Sequence, residues 1–542
     1  MSEAPRSSPA TGTPDDAGYD ADFVIVGSGF GGSVSALRLV DKGFRVLVLE
    51  AGRRWHTGEF PKTNWLVHKF LWLPKLGFFG IQRITLLKNV LVLSGAGVGG
   101  GSLVYANTLI EPPEGFFRDP RWAGLDNWKL ELAPHYAEAK RMLGATPARF
   151  LGPGDQVLRE VADELGVGHT FHQPEVAVYF GEPNKPAADP FFDGEGPDRV
   201  GCNYCGGCMV GCNVGAKNTL DKNYLYLAEK RGAVVQPLTT VTGVSPHPDG
   251  GYAIATRRTG PFGRPGRPLR AKKVVFAGGV MGTVPLLLDC KQRGLLPALS
   301  DRLGDYVRTN SEAIVGALSR REDANNSRGI AITSGFYPEP HTHVEIVRYG
   351  EGQDAMGRLG TLMVDGTGGR ARRFLRFLGE VVRHPLDFLR TQRPWGWAKR
   401  TVILLVMQSV DNHLRVKLER SWWWPFSQRL VSERPEGELT PPTFIPAANL
   451  VARKIAEKTD GVALGAFNEA LLDTPTTAHI LGGCCMGKSA VDGVIGPDQQ
   501  VFNYPGLYVC DGSAISANIG VNPSLTIAAM TELAMTKIRA KA

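Results

Sequence analysis

Apolar residues in this chain fall into short runs, several of which end on glycine. Residues 23–26 (Phe-Val-Ile-Val) lead into Gly27-Ser28-Gly29-Phe30-Gly31-Gly32, an apolar-periodic stretch follows over 33–39, and 46–49 (Val-Leu-Val-Leu) close on Glu50. Unbroken apolar runs of this length predict strands buried on both faces, and the periodic stretch between them predicts a helix. Residues 90–94 run into Gly95-Ala96-Gly97-Val98-Gly99-Gly100-Gly101-Ser102, 273–277 run into Gly278-Gly279 ahead of a helix over 281–288, and 507–510 run into Asp511-Gly512. Other segments alternate instead. Residues 241–244 and 252–256 flank Asp249-Gly250-Gly251 and predict a hairpin, whereas 343–347 and 402–406 predict strands of an antiparallel sheet. Further helices are expected over 130–142, broken at Pro134, over 156–165, and from Pro523 to about residue 539.

These elements predict an α/β plus β chain. A discontinuous Rossmann-type domain would span 21–310 and 476–542, and a second domain on an antiparallel sheet would span 311–475. Residues 1–20, rich in Ser, Pro, Thr, Gly and Asp, are expected to form a disordered tail.

Composition changes this picture little. The 542 residues, 43% hydrophobic and 21% charged, suit a globular protein with a large core, and a net charge of +8 is too modest at this length to imply nucleic acid. No signal-peptide pattern opens the chain and no apolar run reaches the ~20 residues of a membrane span, so a cytoplasmic address is expected. One segment departs from this. Residues 370–400 carry nine Arg or Lys against Glu380 and Asp387, with Phe374, Leu375, Leu378, Val381 and Val382 at helical spacing and Trp395 and Trp397 beyond. Such a basic amphipathic helix reads as a peripheral membrane contact or as a packed helix with a solvated basic face; Trp422-Trp423-Trp424-Pro425 would add to the former.

The first glycine turn carries the chemistry of dinucleotide binding. Gly27 permits the tight turn, Gly29 allows backbone to approach a pyrophosphate, and Gly32 lets the helix pack on the sheet, while the helix N-terminus faces the phosphates. Glu50 at the end of the second strand can accept from ribose hydroxyls. The glycines of 95–101 would lie against a flat ligand or a second phosphate.

Cys202, Cys205, Cys208 and Cys212 have the spacing of an iron–sulfur ligand run, or of a zinc site. Asn213 replaces the proline that usually follows, and no second run is present. Glycines 201, 206, 207 and 211 equally suit a tight loop beside a cofactor.

With these pieces placed, the chain resembles the glucose–methanol–choline (GMC) oxidoreductases, and among them the sterol-oxidising flavoenzymes. The resemblance rests on the 27–32 and 95–102 glycine runs, Ala478-His479-Ile480-Leu481-Gly482-Gly483, and Val521-Asn522-Pro523-Ser524-Leu525. It implies FAD, bound non-covalently since no histidine lies between Leu91 and Ile110, with Val241 on the adenine side and Asp511 and Gly512 near the ribityl and phosphate region. It also implies oxidation of a sterol 3-hydroxyl by hydride transfer to the flavin, reoxidation by O2 to peroxide, and 5-ene to 4-ene isomerisation. His479 would hold the hydroxyl, paired with Asn522, which also reads as the N-cap of the last helix; Glu345 would move the C4 proton to C6. The alternative is a dehydrogenase of another bulky lipophilic alcohol that passes electrons through a cluster at the four cysteines to an acceptor protein.

Overall fold

The computed structural model describes residues 18–366, 368–420 and 428–541; Trp422 to Pro425 and most of the expected tail lie outside them. Two large sheets organise these residues. The first runs in the order Val234–Gln236, Val46–Leu49, Ala21–Val26, Leu269–Phe276, Tyr252–Arg258, Thr239–Pro246, with Leu507–Val509 added beside Leu269–Phe276. The first four of these strands and Leu507–Val509 pair in parallel, with Val24 opposite both Leu47 and Val274. Phe23, Val24 and Ile25 are fully buried, as expected of strands covered on both faces by helices. The helix Phe30–Asp41 provides one such cover and contacts both the C-terminal helix Ser524–Thr536 and the helix Tyr224–Lys230.

The second sheet is antiparallel throughout, in the order Ile332–Glu339, Thr342–Val347, Thr401–Gln408, Ala313–Ser319, Gly461–Ala466, Gly360–Leu362. Strand alternation sends Val344 and Ile346 to one face, where they pack with the helices Pro446–Lys458 and Pro153–Glu164. The opposite face carries Val347, Ile403 and Leu405 toward Trp397 and Tyr349. The helix Pro153–Glu164, which the expected bounds 21–310 assign to the first domain, instead packs beneath this second sheet. A small third sheet pairs Leu91–Gly95 with Gln82–Leu86 and with Thr476–Thr477, bringing the residue before Ala478-His479 beside the second glycine run.

Three local expectations need correction. The helix Trp128–Leu143 continues through Pro134. Trp128, Leu132 and Tyr136 are buried along it, and that burial outweighs the ~3 kcal/mol cost of an interior proline. The last helix begins at Ser524, and Asn522 makes no capping bond; its amide is engaged elsewhere, as described below. Tyr19 and Asp20 belong to the folded part: Asp20 N donates to Arg270 O at 2.8 Å, and the Arg270 guanidinium lies 4.6 Å from the centre of the Tyr19 ring.

Candidate active site

A cavity of about 1060 Å³ runs between the two sheets, from the first glycine turn to the apolar face of the antiparallel sheet. Gly27 adopts a φ of +102°, and a Cβ there would lie 2.5 Å from Ala277 O. Only glycine suits that turn. Gly29 differs. Its φ of −70° is open to any residue, yet a Cβ would meet only Ala277 O at 3.9 Å and would project into the cavity. A side chain there would fill the cradle. The helix after it has no acidic residue in its first turn and no side-chain cap, so its first N–H groups remain available to an anion.

Glu50 lines the cavity beside this turn. Its carboxylate accepts from Ser28 N at 3.0 Å, Ser28 Oγ at 2.7 Å and Gly52 N at 2.7 Å. Burial nevertheless raises its pKa, against those hydrogen bonds. Gly32 stays behind the turn, where a Cβ would strike Gly27 O. Of the second run, Gly95, Gly100 and Gly101 line the cavity, whereas Gly97 and Ser102 do not. Gly97 packs against Arg53 O and Leu103, and Ser102 Oγ accepts from Leu220 N while donating to Gly99 O; both shape the turn from behind. Val241 and Gly512 are in the wall. So is Asp511, whose carboxylate accepts from Gly279 N, Thr283 Oγ1 and Ser513 N and thereby fixes the glycines after Phe276.

The far part of the cavity holds the candidate reactive groups. His479 Nδ1 lies 2.5 Å from Glu312 Oε1, and Glu312 Oε2 accepts from Ala478 N at 2.6 Å. A carboxylate can only accept, so Nδ1 carries the hydrogen and Nε2 is left for a ligand. The His479 side chain keeps 15% exposure, at the cavity wall. Burial works against a charge on His479, but Glu312, with a smaller contribution from Glu345, holds its pKa above the ordinary value.

Asn522 is also in the wall, and its Nδ2 donates to Glu345 Oε2 at 3.1 Å. Asn522 Oδ1, the atom a helix cap would use, accepts from no backbone N–H among the described residues. Glu345 is fully buried and is not itself part of the wall. Burial pushes its pKa to about 7 despite the opposing effects of Asn522 and His479. Glu345 Oε1 and Asn522 Oδ1 have no hydrogen-bond partner among the described residues.

The four cysteines are not arranged as a ligand set. Cys202 and Cys208 are buried, Cys205 is exposed and Cys212 is intermediate, and no group of three or more His, Cys, Asp or Glu among the described residues is placed to hold a metal ion. The loop follows other anchors. Gly206 and Gly211 take φ of +71° and +88°, and Lys217 Nζ donates to Cys208 O at 2.8 Å. Glu312 escaped the sequence reading; its signal was a polar run, Thr309 to Glu312, set directly against an apolar strand.

The chain matches a family model described as GMC oxidoreductase over residues 433–531 and one described as NAD(P)-binding Rossmann-like domain over 25–67. It is 50% identical to a cholesterol oxidase of Mycobacterium tuberculosis across 95% of this chain and 90% of that one. It is 45% identical to a cholesterol oxidase of Acinetobacter baumannii across 96% and 95%, and 25% identical to a long-chain-alcohol oxidase of Arabidopsis thaliana across 93% and 65%. The crystal structure of pyridoxine 4-oxidase from Mesorbium loti shares the fold, with a TM-score of 0.61 at 14% identity over 96% of this chain and all of that one. The chain belongs to the GMC oxidoreductase family. It is an oxidoreductase acting on CH–OH groups.

Proposed function

We propose that this protein binds FAD non-covalently and oxidises the 3-hydroxyl of a sterol to the ketone, with transfer of the 5-ene double bond to the 4 position. One observation carries the reading. A single cavity joins the glycine cradle around Gly29 to the free nitrogen of His479, so a dinucleotide seated at one end would reach the imidazole at the other. Gly27, Gly29, Gly100 and Gly101 would hold its phosphates, Glu50 the ribose, Val241 the adenine side, and Asp511 and Gly512 the turn beneath its middle. When bound, FAD supplies the hydride acceptor.

The chain's own groups supply the rest. His479 Nε2, in the neutral imidazole fixed by Glu312, accepts the proton of the substrate hydroxyl. Asn522 orients the same oxygen. Tyr349, Trp397 and Leu405 wall the remaining space with mostly apolar surface, which suits a ring system carrying one hydroxyl. Glu345 has a pKa near neutral and is suited to take a proton from carbon and return it. The relatives named as cholesterol oxidases support the substrate class, and O2 is the expected final acceptor.

The outer surface supports a lipid source for that substrate. The helices Gly369–Arg383 and Pro385–Gln392 expose Leu375, Val382, Leu386 and Leu389, with Trp395 beyond them 71% exposed. Leu76, also exposed, belongs to the cavity wall. Arg372, Arg383 and Arg390 flank this apolar row, an arrangement suited to peripheral contact with an anionic bilayer. No helix among the described residues is long and apolar enough to cross a membrane.

Aerobic incubation with cholesterol tests the function. Stoichiometric peroxide and a conjugated enone support it; peroxide without enone removes the isomerisation, and neither product removes the sterol assignment.

A further inference from the structure

Behind the site lies a cluster of titratable side chains that alcohol oxidation leaves without a task. His343 is 1% exposed, and neither ring nitrogen has a hydrogen-bond partner among the described residues. It is two residues before Glu345 in the strand Thr342–Val347, so the two side chains share a face. The His343 ring stacks on Tyr337 at 4.5 Å and on His172 at 5.2 Å between centroids. Both of those rings are only partly buried, so the stack leads from the interior toward the surface.

Gly335 keeps the inner end of this stack open toward Glu345. It lies opposite Glu345 in the neighbouring strand, and His172 exchanges two backbone hydrogen bonds with it, at 2.9 and 3.0 Å. A Cβ on Gly335 would lie 2.9 Å from His343 Nε2 and 3.4 Å from Glu345 Cγ. His343 Nε2 and the Glu345 side chain therefore both border the gap beside Gly335, which any larger residue would close against them and against Val344 O. His172 Nδ1 contacts Thr170 O at 3.0 Å, which makes Nδ1 the donor and Nε2 the acceptor nitrogen of a partly buried ring.

We propose that His343 is a positioning residue that relays protons between Glu345 and bulk water by way of His172. A buried imidazole with two unpaired nitrogens calls for small polar partners, and water is the one that fits between side chains. In the relay, the O–H bond of Glu345 breaks as an N–H bond forms at His343 Nε2, a water carrying the proton across. The N–H bond at His343 Nδ1 breaks in the same motion, and that proton passes by a second water to His172 Nε2 and on to solvent. No electrons move, and the reverse transfer, with a hydrogen taken from solvent at Nδ1 and one returned from Nε2 to the Glu345 carboxylate, restores the first tautomer. Burial, with a smaller effect of His172, holds the His343 pKa at about 3, so the ring stays neutral with one donor and one acceptor nitrogen. The other titratable groups facing the stack are Tyr337, whose phenol burial and then Glu345 push to about 12, and Glu345 itself. The relay gives protons an exit when a bulky substrate fills the cavity.

The relay rests on Glu345 as the proton-exchanging carboxyl, and its test needs no substrate. The FAD-loaded protein, held slightly acidic so that Glu345 is protonated, is mixed rapidly into D2O while the infrared carbonyl band of the acid is followed; loss of the band in Glu345→Gln assigns it. His343→Phe keeps the stacking but removes both nitrogens, and we expect its band to shift at least tenfold more slowly than in the wild type. His343→Gln, with a donor and an acceptor, should recover part of the rate, and His172→Phe should slow it independently. Unchanged exchange in His343→Phe or His172→Phe, with thermal unfolding as in the wild type, would overturn the relay. Enone formation in Glu345→Gln is measured separately, so a failure of the isomerisation reading is distinguished from a failure of the relay.

Discussion

Glu312 holds His479 from behind. Its carboxylate lies 2.5 Å from Nδ1 of the imidazole and accepts the backbone N–H of Ala478 with its other oxygen, so one buried acid sets both the tautomer and the backbone of the residue in the cavity wall. The pair also ties the antiparallel sheet to the small third sheet. Glu312 immediately precedes the strand Ala313–Ser319 of the antiparallel sheet, and His479 follows Thr476–Thr477, which pairs with the start of the strand leading into the second glycine run.

This pairing predicts a shifted pH profile in Glu312→Gln. The proposed active form of His479 is neutral, so activity is lost as pH falls through its pKa, which Glu312 holds above the ordinary value. Removing the charge lowers that pKa, and the acid limb of kcat/KM should move to lower pH. The plateau should fall by about 10² as tautomer control is lost. A limb that stays in place would show that Glu312 does not tune His479.

Glu345→Gln should separate the two proposed reactions. We expect sterol-dependent peroxide within about tenfold of wild type, while the conjugated enone disappears and the unconjugated ketone accumulates. In the wild type the enone yield should drop as pH falls through about 7, where Glu345 takes up a proton and ceases to be a base. Ultraviolet absorbance of the extracted steroid decides between these outcomes.

The two glycines of the first turn should respond oppositely to substitution. Gly29→Val adds its side chain to the cavity on backbone that tolerates it, so the protein should fold with wild-type unfolding behaviour but bind FAD roughly 100-fold more weakly. Gly27→Val meets both a φ of +102° and the Ala277 carbonyl, and should lower stability by about 3 kcal/mol or more. Flavin titration and thermal melts of both variants check the contrast.

Glu469 offers a test of the fold rather than the chemistry. It is buried with Oε1 unpaired among the described residues, and burial raises its pKa to about 8 even though Arg373 and the Thr476 backbone oppose the shift. Between the ordinary value of 4.5 and about 8 the folded state binds more protons than the unfolded state, so stability should fall as pH rises through that window. Glu469→Gln should flatten the slope and raise Tm by several degrees at the alkaline end while changing little at about pH 4. Equal effects at both ends would contradict the assignment.

Leu386→Glu combined with Leu389→Glu should leave turnover of detergent-dispersed sterol unchanged and reduce turnover of sterol presented in anionic vesicles several-fold. Both leucines are exposed and flanked by arginines. Parallel assays with the two substrate forms distinguish membrane contact from damage to the site.

Much of this was legible from the chain because local pattern and local chemistry coincide at the first turn. The run from Phe23 to Gly32 encodes strand, turn and helix within one segment, and burial of Phe23, Val24 and Ile25 follows from their apolar continuity. The antiparallel strands around Glu345 and Leu404 were visible for the same reason. Long-range pairing was not. Glu312 is 167 residues from His479 and carries no motif of its own. Asn522 reads as a helix cap because Asn-Pro-Ser commonly is one, yet Glu345 claims its amide across 177 residues. Gly97 and Ser102 read as ligand contacts because composition cannot say which side of a glycine turn faces a cavity. The four cysteines share a ligand spacing, but the loop's path is set by Gly206, Gly211 and Lys217.

Anaerobic titration of the purified protein with cholesterol, followed by visible absorption, addresses the central claim most directly. A flavin spectrum that bleaches to the reduced form on addition of sterol, and bleaches far more slowly in His479→Ala, is the predicted result. A folded protein that carries no flavin and takes up none, or one whose flavin stays oxidised with sterol present, would contradict the account.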